Sequence, residues 1–344
     1  MQASRVTKSA SDGRVDGDSA PASPGLHRFV TATAVATFIL IFVGGLVTST
    51  GSALAVPDWP LSFGKFFPKM EGGVLYEHGH RMVAGTVAIM TLIVMVWALG
   101  RARSVRVRNI AMIAFGLVIF QAVLGGLTVL LLLPLPIAVA HAATAQAFFC
   151  LMVTLSLLTS PRWHNAAPID SRESSRPALP LLAVITTAVI YGQILIGAVM
   201  RHMGAGLAIP DFPLSFGHVI PPLDSVYVAV NFAHRCGALV VATLITWTVV
   251  RVLRFHRNEA ALRRPAMGLM LLLILQISLG ALTIWSGKAV IPTTAHVAVG
   301  AGVLATSLVL TLRCYHLMAL GKHARDSQEL AIFADERIER GVTA

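Results

Sequence analysis

The run Pro57-Asp58-Trp59-Pro60-Leu61-Ser62-Phe63-Gly64 returns 153 residues later as Pro210-Asp211-Phe212-Pro213-Leu214-Ser215-Phe216-Gly217. Working outward, His80-Arg81 recurs as His234-Arg235 at an offset of 154. Gln121, with Leu124-Gly125 and Leu127-Thr128, recurs as Gln276 with Leu279-Gly280 and Leu282-Thr283, and His141 recurs as His296, all at 155. The offset drifts by two residues while the unusual residues stay in step. The chain is therefore a tandem duplication, and whatever one half builds the other builds again.

Each copy is mostly apolar. Of the 344 residues 56% are hydrophobic and 12% charged, with a mean hydropathy of +0.74, which excludes an ordinary water-soluble domain. A spanning helix needs about 20 apolar residues, and eight such stretches are predicted, at 29–49, 79–100, 110–132, 137–159, 179–200, 229–251, 266–286 and 293–314. Four helices per repeat is an even number, so both halves enter the bilayer with the same orientation, unlike the inverted repeats of many transporters. The expected fold is an all-α integral membrane protein with eight transmembrane helices as two tandem parallel four-helix bundles. Its divisions are a disordered N-terminal tail at 1–28, a first half at 29–160, a linker at 161–178, a second half at 179–316 and a C-terminal tail at 317–344. The polar start lacks the apolar run of a signal peptide.

The formal charge of +11 raises the question of nucleic acid. Twelve arginines fall in the loops 2–3, 4–5 and 6–7 or at their edges, against Lys65, Lys69, Arg201 and Lys288 on the other side. By the positive-inside rule the twelve and both termini lie in the cytoplasm. The basicity thus reports topology and gives no support for nucleic acid. Cys150, Cys236 and Cys314 fall within helices and not in an outer loop, so they read as small buried hydrophobes and no disulfide is expected.

Only four of the twelve histidines lie in spans and obey the repeat: His80, His141, His234 and His296. All are on even-numbered helices within about a turn and a half of the outer end, roughly 5–10 Å deep. A single intramembrane histidine is commonly an interhelical hydrogen-bonding residue. Four at one depth match a different need, because a haem iron takes two axial imidazoles from different helices across a dry slot. Zinc would want four clustered ligands. His80 with His141, and His234 with His296, form the two expected pairs. Ala84, Gly85, Ala142, Ala143, Gly237, Ala298 and Gly300 beside them fit either a porphyrin slot or ordinary close packing. Arg81 and Arg235 fit haem propionate partners or arginines that snorkel to the headgroups.

One acid breaks the symmetry. Glu77 shares a helical face with His80, and its counterpart is Asn231. Two readings stand: a first-turn carboxylate favoured by the helix dipole, or a group doing proton or electrostatic chemistry in one half only. The long outer connections at 50–76 and 201–228 carry Trp59, Phe63, Phe66 and Phe67, which suit a macrocycle cap or an interfacial aromatic belt.

With these motifs in place, the chain from about 29 to 316 resembles the haem A synthase family. The resemblance rests on Glu77-His78-Gly79-His80-Arg81, His141, Phe232-Ala233-His234-Arg235, Thr294-Ala295-His296, Gly44-Gly45 and the duplicated Pro-Asp-aromatic-Pro loop. It implies oxidation of a haem O methyl, through hydroxylation steps, to the formyl group of haem A for terminal oxidases. It further implies haem O as substrate between His80 and His141, Glu77 as the catalytic acid residue, and a haem b cofactor between His234 and His296. A haem O synthase, an electron acceptor not identifiable from the sequence and the lipid bilayer are the implied partners, in a bacterial cytoplasmic (inner) membrane with the haem sites towards the outer face; a homo-oligomer stays open. The first outer loop lacks the cysteine pair of some relatives, so no role of that pair applies. A non-catalytic dihaem b-type cytochrome would use the same four histidines, and a haem-free transporter or assembly factor would use none.

Overall fold

A computed structural model describes residues 23–169 and 175–342. Among these residues there is no strand. The helices are α1 (Pro24–Ser49), α2 (Gly73–Arg101), α3 (Val105–Leu130), α4 (Leu135–Leu158), the short α5 (Pro161–His164), α6 (Leu179–His202), α7 (Val226–Phe255), α8 (Ala260–Trp285) and α9 (Val290–Val342). All but α5 are long and apolar enough to cross a membrane. Helix starts follow local chemistry: Ser23 and Ser104 cap α1 and α3 through their hydroxyls, and Pro24 sits at the first turn of α1, where its missing N–H costs nothing.

The boundaries of both expected tails differ from expectation. Residues 24–28, read as tail, form the first turn and more of α1; the rest of that segment, 1–22, lies outside the described residues. Residues 317–342, also read as tail, continue α9, whose 53 residues extend about 80 Å. The stretch lacks proline and is rich in Ala, Leu, Glu and Arg, all good helix formers, and Gly321 within it costs too little to end a helix already started.

In each half the helices close a ring. In the first, α1 packs on α2, α2 on α3, α3 on α4 and α4 on α1; in the second, α6, α7, α8 and α9 do the same. Each ring has its own core, and both cores occupy only the end nearer the chain termini. The first joins Leu26, Val30, Val94, Ala98, Val107, Ala111, Met152 and Leu155; the second joins Leu179, Ile245, Val252, Leu262, Leu269, Leu304 and Leu310. The opposite end, where the long loops attach, carries the four histidines, and its buried apolar residues, such as Val56, Leu124 and Ile209, belong to neither of these two cores. Lipid tails are as apolar as leucine, so close packing and interhelical hydrogen bonds must hold the helices together. Thr31 with Ser156 across α1 and α4, and Thr187 with Ser307 and Thr311 across α6 and α9, serve that purpose at 2.7–2.8 Å.

The seam between halves is made by α1 against α9 and by α4 against α6 and α9. Polar links cross it: Tyr191 donates to the Ala143 carbonyl, Thr294 to Ser49, and Arg201 to the Gly45 carbonyl and Ser49.

The duplicated loop folds twice in the same way. Ser62 and Lys65 exchange backbone hydrogen bonds around Phe63 and Gly64, both at positive φ; Ser215 and His218 do so around Phe216 and Gly217. Phenylalanine is strained there. The Asp58 carboxylate offsets this by accepting the Phe63 and Gly64 N–H groups at 2.7 and 2.8 Å, as Asp211 does for Phe216 and Gly217. Those donors, Gly64 and Gly217 foremost, hold both carboxyls below the ordinary 3.8. A depressed carboxyl lends stability that is complete above pH 3.8 and is lost as pH falls through the lower folded value. Amide protection factors at Phe63 and Gly64, measured by hydrogen exchange, should therefore be flat above about pH 5 and decline below pH 4. Asp58→Asn should be low and pH-independent throughout.

Candidate functional site: two histidine pairs at the loop end

The histidines lie six to eight residues into α2, α4, α7 and α9. That is about 9–12 Å from the helix start, deeper than expected because each helix begins two to six residues before its apolar run. His80 and His141 stand within electrostatic reach of each other, as do His234 and His296. All four are half-buried. Each imidazole leans its Cε1 edge on a glycine of the preceding long helix. A Cβ added at Gly44 would stand 3.1 Å from His80, at Gly125 3.1 Å from His141, at Gly197 3.0 Å from His234 and at Gly280 3.2 Å from His296. These glycines are in repeat register, and any side chain there would turn the ring away.

Polar partners of the imidazoles differ between halves. His80 Nδ1 and His141 Nδ1 are buried without a hydrogen-bond partner. In the second half, Gln193 Nε2 lies 3.0 Å from His234 Nδ1, and His296 Nδ1 lies 3.1 Å from the Gln276 carbonyl. Such outer contacts fix ring orientation in axial histidines. The counterpart of Gln193 is Leu40, so the second pair is held more firmly than the first. Gln121, the counterpart of Gln276, instead bonds the His141 carbonyl and the Thr144 hydroxyl. Among the described residues no three His, Cys, Asp or Glu side chains converge. What each half offers is two imidazoles within electrostatic reach of each other with a glycine notch behind each, a donor set that fits a haem iron taking two axial imidazoles.

Glu77 is 4% exposed and fully engaged: Oε1 takes Arg81 Nη2 at 2.6 Å and Oε2 takes the Val56 N–H at 2.9 Å. Arg81 also donates to the carbonyls of Val56, Asp58 and Leu61. Asn231, 2% exposed, donates to the Ala205 carbonyl and accepts Arg235 Nε at 3.0 Å, while Arg235 donates to Ile209 and Leu214 carbonyls. Both arginines are thus clamps that pin the duplicated loop to its helix. This occupation, not foreseen from the sequence, leaves their Nη groups little to give a propionate. One consequence is electrostatic: Arg81 is neutralised by Glu77, whereas Arg235 faces a neutral amide.

Other expectations shift in detail. His78, read as a residue needing no explanation, is buried in α2, with Nδ1 2.8 Å from Ser62 Oγ and Nε2 unpartnered. Gly85 faces open space, but Gly237 and Gly300 are approached by Gln193 and Gln276, so of these three only Gly85 leaves room. Trp59 packs over Gly126 of α3, while Phe63, Phe66 and Phe67 stay exposed. None of the three cysteines forms a disulfide; Cys314 is buried and Cys150 half-buried, but Cys236 is exposed and not the buried hydrophobe expected. Gly197 was missed, although the repeat offset from Gly44 points to it; Gln193 and Arg201 have no repeat signal.

A family model described as cytochrome oxidase assembly protein, COX15-CtaA, matches residues 71–308, a span holding Glu77 and all four histidines. The chain belongs to the COX15-CtaA family. Its relatives include a protein named Heme A synthase from Symbiobacterium thermophilum, 33% identical over 75% of this chain and 85% of the relative. Proteins of the same name from Shouchella clausii and Halalkalibacterium halodurans are 28% and 27% identical, each over 87% of this chain. The COX15-CtaA match begins after α1, so Gly44, which backs His80, lies outside it.

If each notch serves its own histidine, Gly44→Val should weaken haem uptake at the first pair alone and Gly197→Val at the second alone. Overpacking of this kind costs about 1–3 kcal/mol, or roughly ten- to hundred-fold in affinity. Soret titration of each variant in a background lacking the other pair's histidines checks it.

Proposed function

We propose that this chain is a haem A synthase, oxidising a methyl group of haem O to a formyl group through hydroxylation steps and delivering haem A for terminal oxidases. The relatives' shared name supports the activity, and the observation that carries the division of labour is the Glu77–Arg81 pair beside His80, set against Asn231–Arg235 beside His234. In this reading haem O sits between His80 and His141, and His234 and His296 hold a haem b, which when bound supplies one-electron redox chemistry.

The residues then have distinct tasks. His80 and His141 orient the substrate, and the unpartnered Nδ1 of His80 suits a ligand that must enter and leave. His234 and His296, steadied by Gln193 and Gln276, suit a resident cofactor. Oxidising a methyl breaks C–H bonds, so a proton acceptor is needed beside the first pair only. Each Glu77 oxygen keeps a lone pair beyond that engaged by Arg81 or Val56, so a proton can be held there without releasing the loop. A haem O synthase would be the supplier and a separate electron acceptor the sink. Both termini would face the cytoplasm and both haems the outer side, as the arginine distribution implies.

Cells supplying haem O should accumulate haem A or its hydroxylated precursor with the wild-type chain. With Glu77→Gln, haem extraction and chromatography should show only haem O and haem b, with haem loading within about two-fold of wild type; retained turnover would return Glu77 to a purely structural role.

A further inference from the structure

Arg81 and Arg235 are committed to the loops, yet any haem seated between these histidines carries carboxylates that need cations at the loop end. Besides the exposed loop lysines Lys65, Lys69 and Lys288, Arg201 stands there. Arg201 is the penultimate residue of α6, about one residue from its loop end, whereas the histidines lie six to eight residues in. It is thus about 7–10 Å nearer the loops than the irons would be, on the side to which carboxylate arms would reach. Its side chain turns into the seam and not out to solvent: Nη2 donates to the Gly45 carbonyl at 2.9 Å and to Ser49 Oγ at 2.8 Å. Ser49 in turn accepts from Thr294, two residues before His296, at 3.0 Å. Arg201 lies within electrostatic reach of His296.

What it lacks is an anion. No carboxylate pairs with it among the described residues, and Nη1 and Nε have no protein partner. An arginine at a helix end is free to snorkel to the headgroups, yet this guanidinium is drawn into the seam between halves, and a cation held there without a counter-charge points to an anionic ligand. Its counterpart in the first half is Thr48, so the feature belongs to the second half alone.

We propose that Arg201 is the carboxylate anchor of the haem held by His234 and His296: Nη2 fixes the guanidinium to α1, and Nη1 and Nε bind a propionate. This rests on the two-haem reading above. A fork locked on one side by backbone and hydroxyl is pre-organised for bidentate recognition of a carboxylate. The same charge, held near the iron, would favour the reduced haem.

The full-length protein, carrying His80→Ala so that only the second pair reports, would be titrated with haem b and with its dimethyl ester, whose carboxylates are masked. A charge-assisted contact predicts that the wild-type residue prefers the free acid by about ten- to hundred-fold, that Arg201→Gln reduces this preference to near unity, and that Arg201→Lys restores part of it. The midpoint potential of the bound haem should fall in Arg201→Gln and recover in Arg201→Lys. Equal preference in Arg201→Gln and its parent, or an unchanged potential, would overturn the assignment and leave Arg201 as a staple between α1 and α6. If Arg201→Gln does not fold, the parent's own discrimination decides: no preference for the free acid overturns the proposal. A parent that takes up neither compound would instead fail the two-haem reading itself.

Discussion

A helix backbone that comes within 3.0–3.2 Å of an imidazole, measured from the Cβ that glycine lacks, is the constraint on which the site depends. It occurs four times, at Gly44, Gly125, Gly197 and Gly280, and always between one helix and the next long helix. The contact sets the ring plane, and with it the direction in which the free edge of each imidazole points. It is tolerated because the apolar cores sit at the other end of each bundle, so the loop end need not close. Stability and binding are thus separated along the helix axes.

On this repeated frame the halves differ by charge and by restraint. Glu77 pairs with Arg81 in the first half, while Arg235 has a neutral Asn231 beside it on the helix with Asp211 of the loop in electrostatic reach, and Arg201 adds a further charge near His296. Gln193 steadies His234, where Leu40 offers His80 nothing. The first site is therefore the less cationic of the two and leaves His80 less restrained, with an acid at hand. The second is cationic and more firmly held, a setting that favours a reduced iron and a cofactor that stays.

Most of the architecture was legible because a bilayer simplifies the problem: apolar length gives the helices and duplicated residues give the histidine pairs. Glu77 stood out for the same reason, as an exception inside a pattern. What escaped was whatever had no pattern. Arg81 and Arg235 read as propionate partners or snorkelling arginines, because a sequence does not show that loop carbonyls converge on them. Gln193 and Arg201 have Leu40 and Thr48 as counterparts, so the repeat gave no cue. The continuation of α9 past residue 316 was missed because apolar content marks where a helix enters lipid and says little about where it stops.

The central claim is that the two histidine pairs hold two different tetrapyrroles. Extracting haems from the purified double variants His80→Ala/His141→Ala and His234→Ala/His296→Ala, expressed with a haem O source, tests it most directly. The account predicts that the first loses haem O and haem A while keeping haem b, and that the second loses haem b selectively. Loss of the same haems from both variants would contradict it.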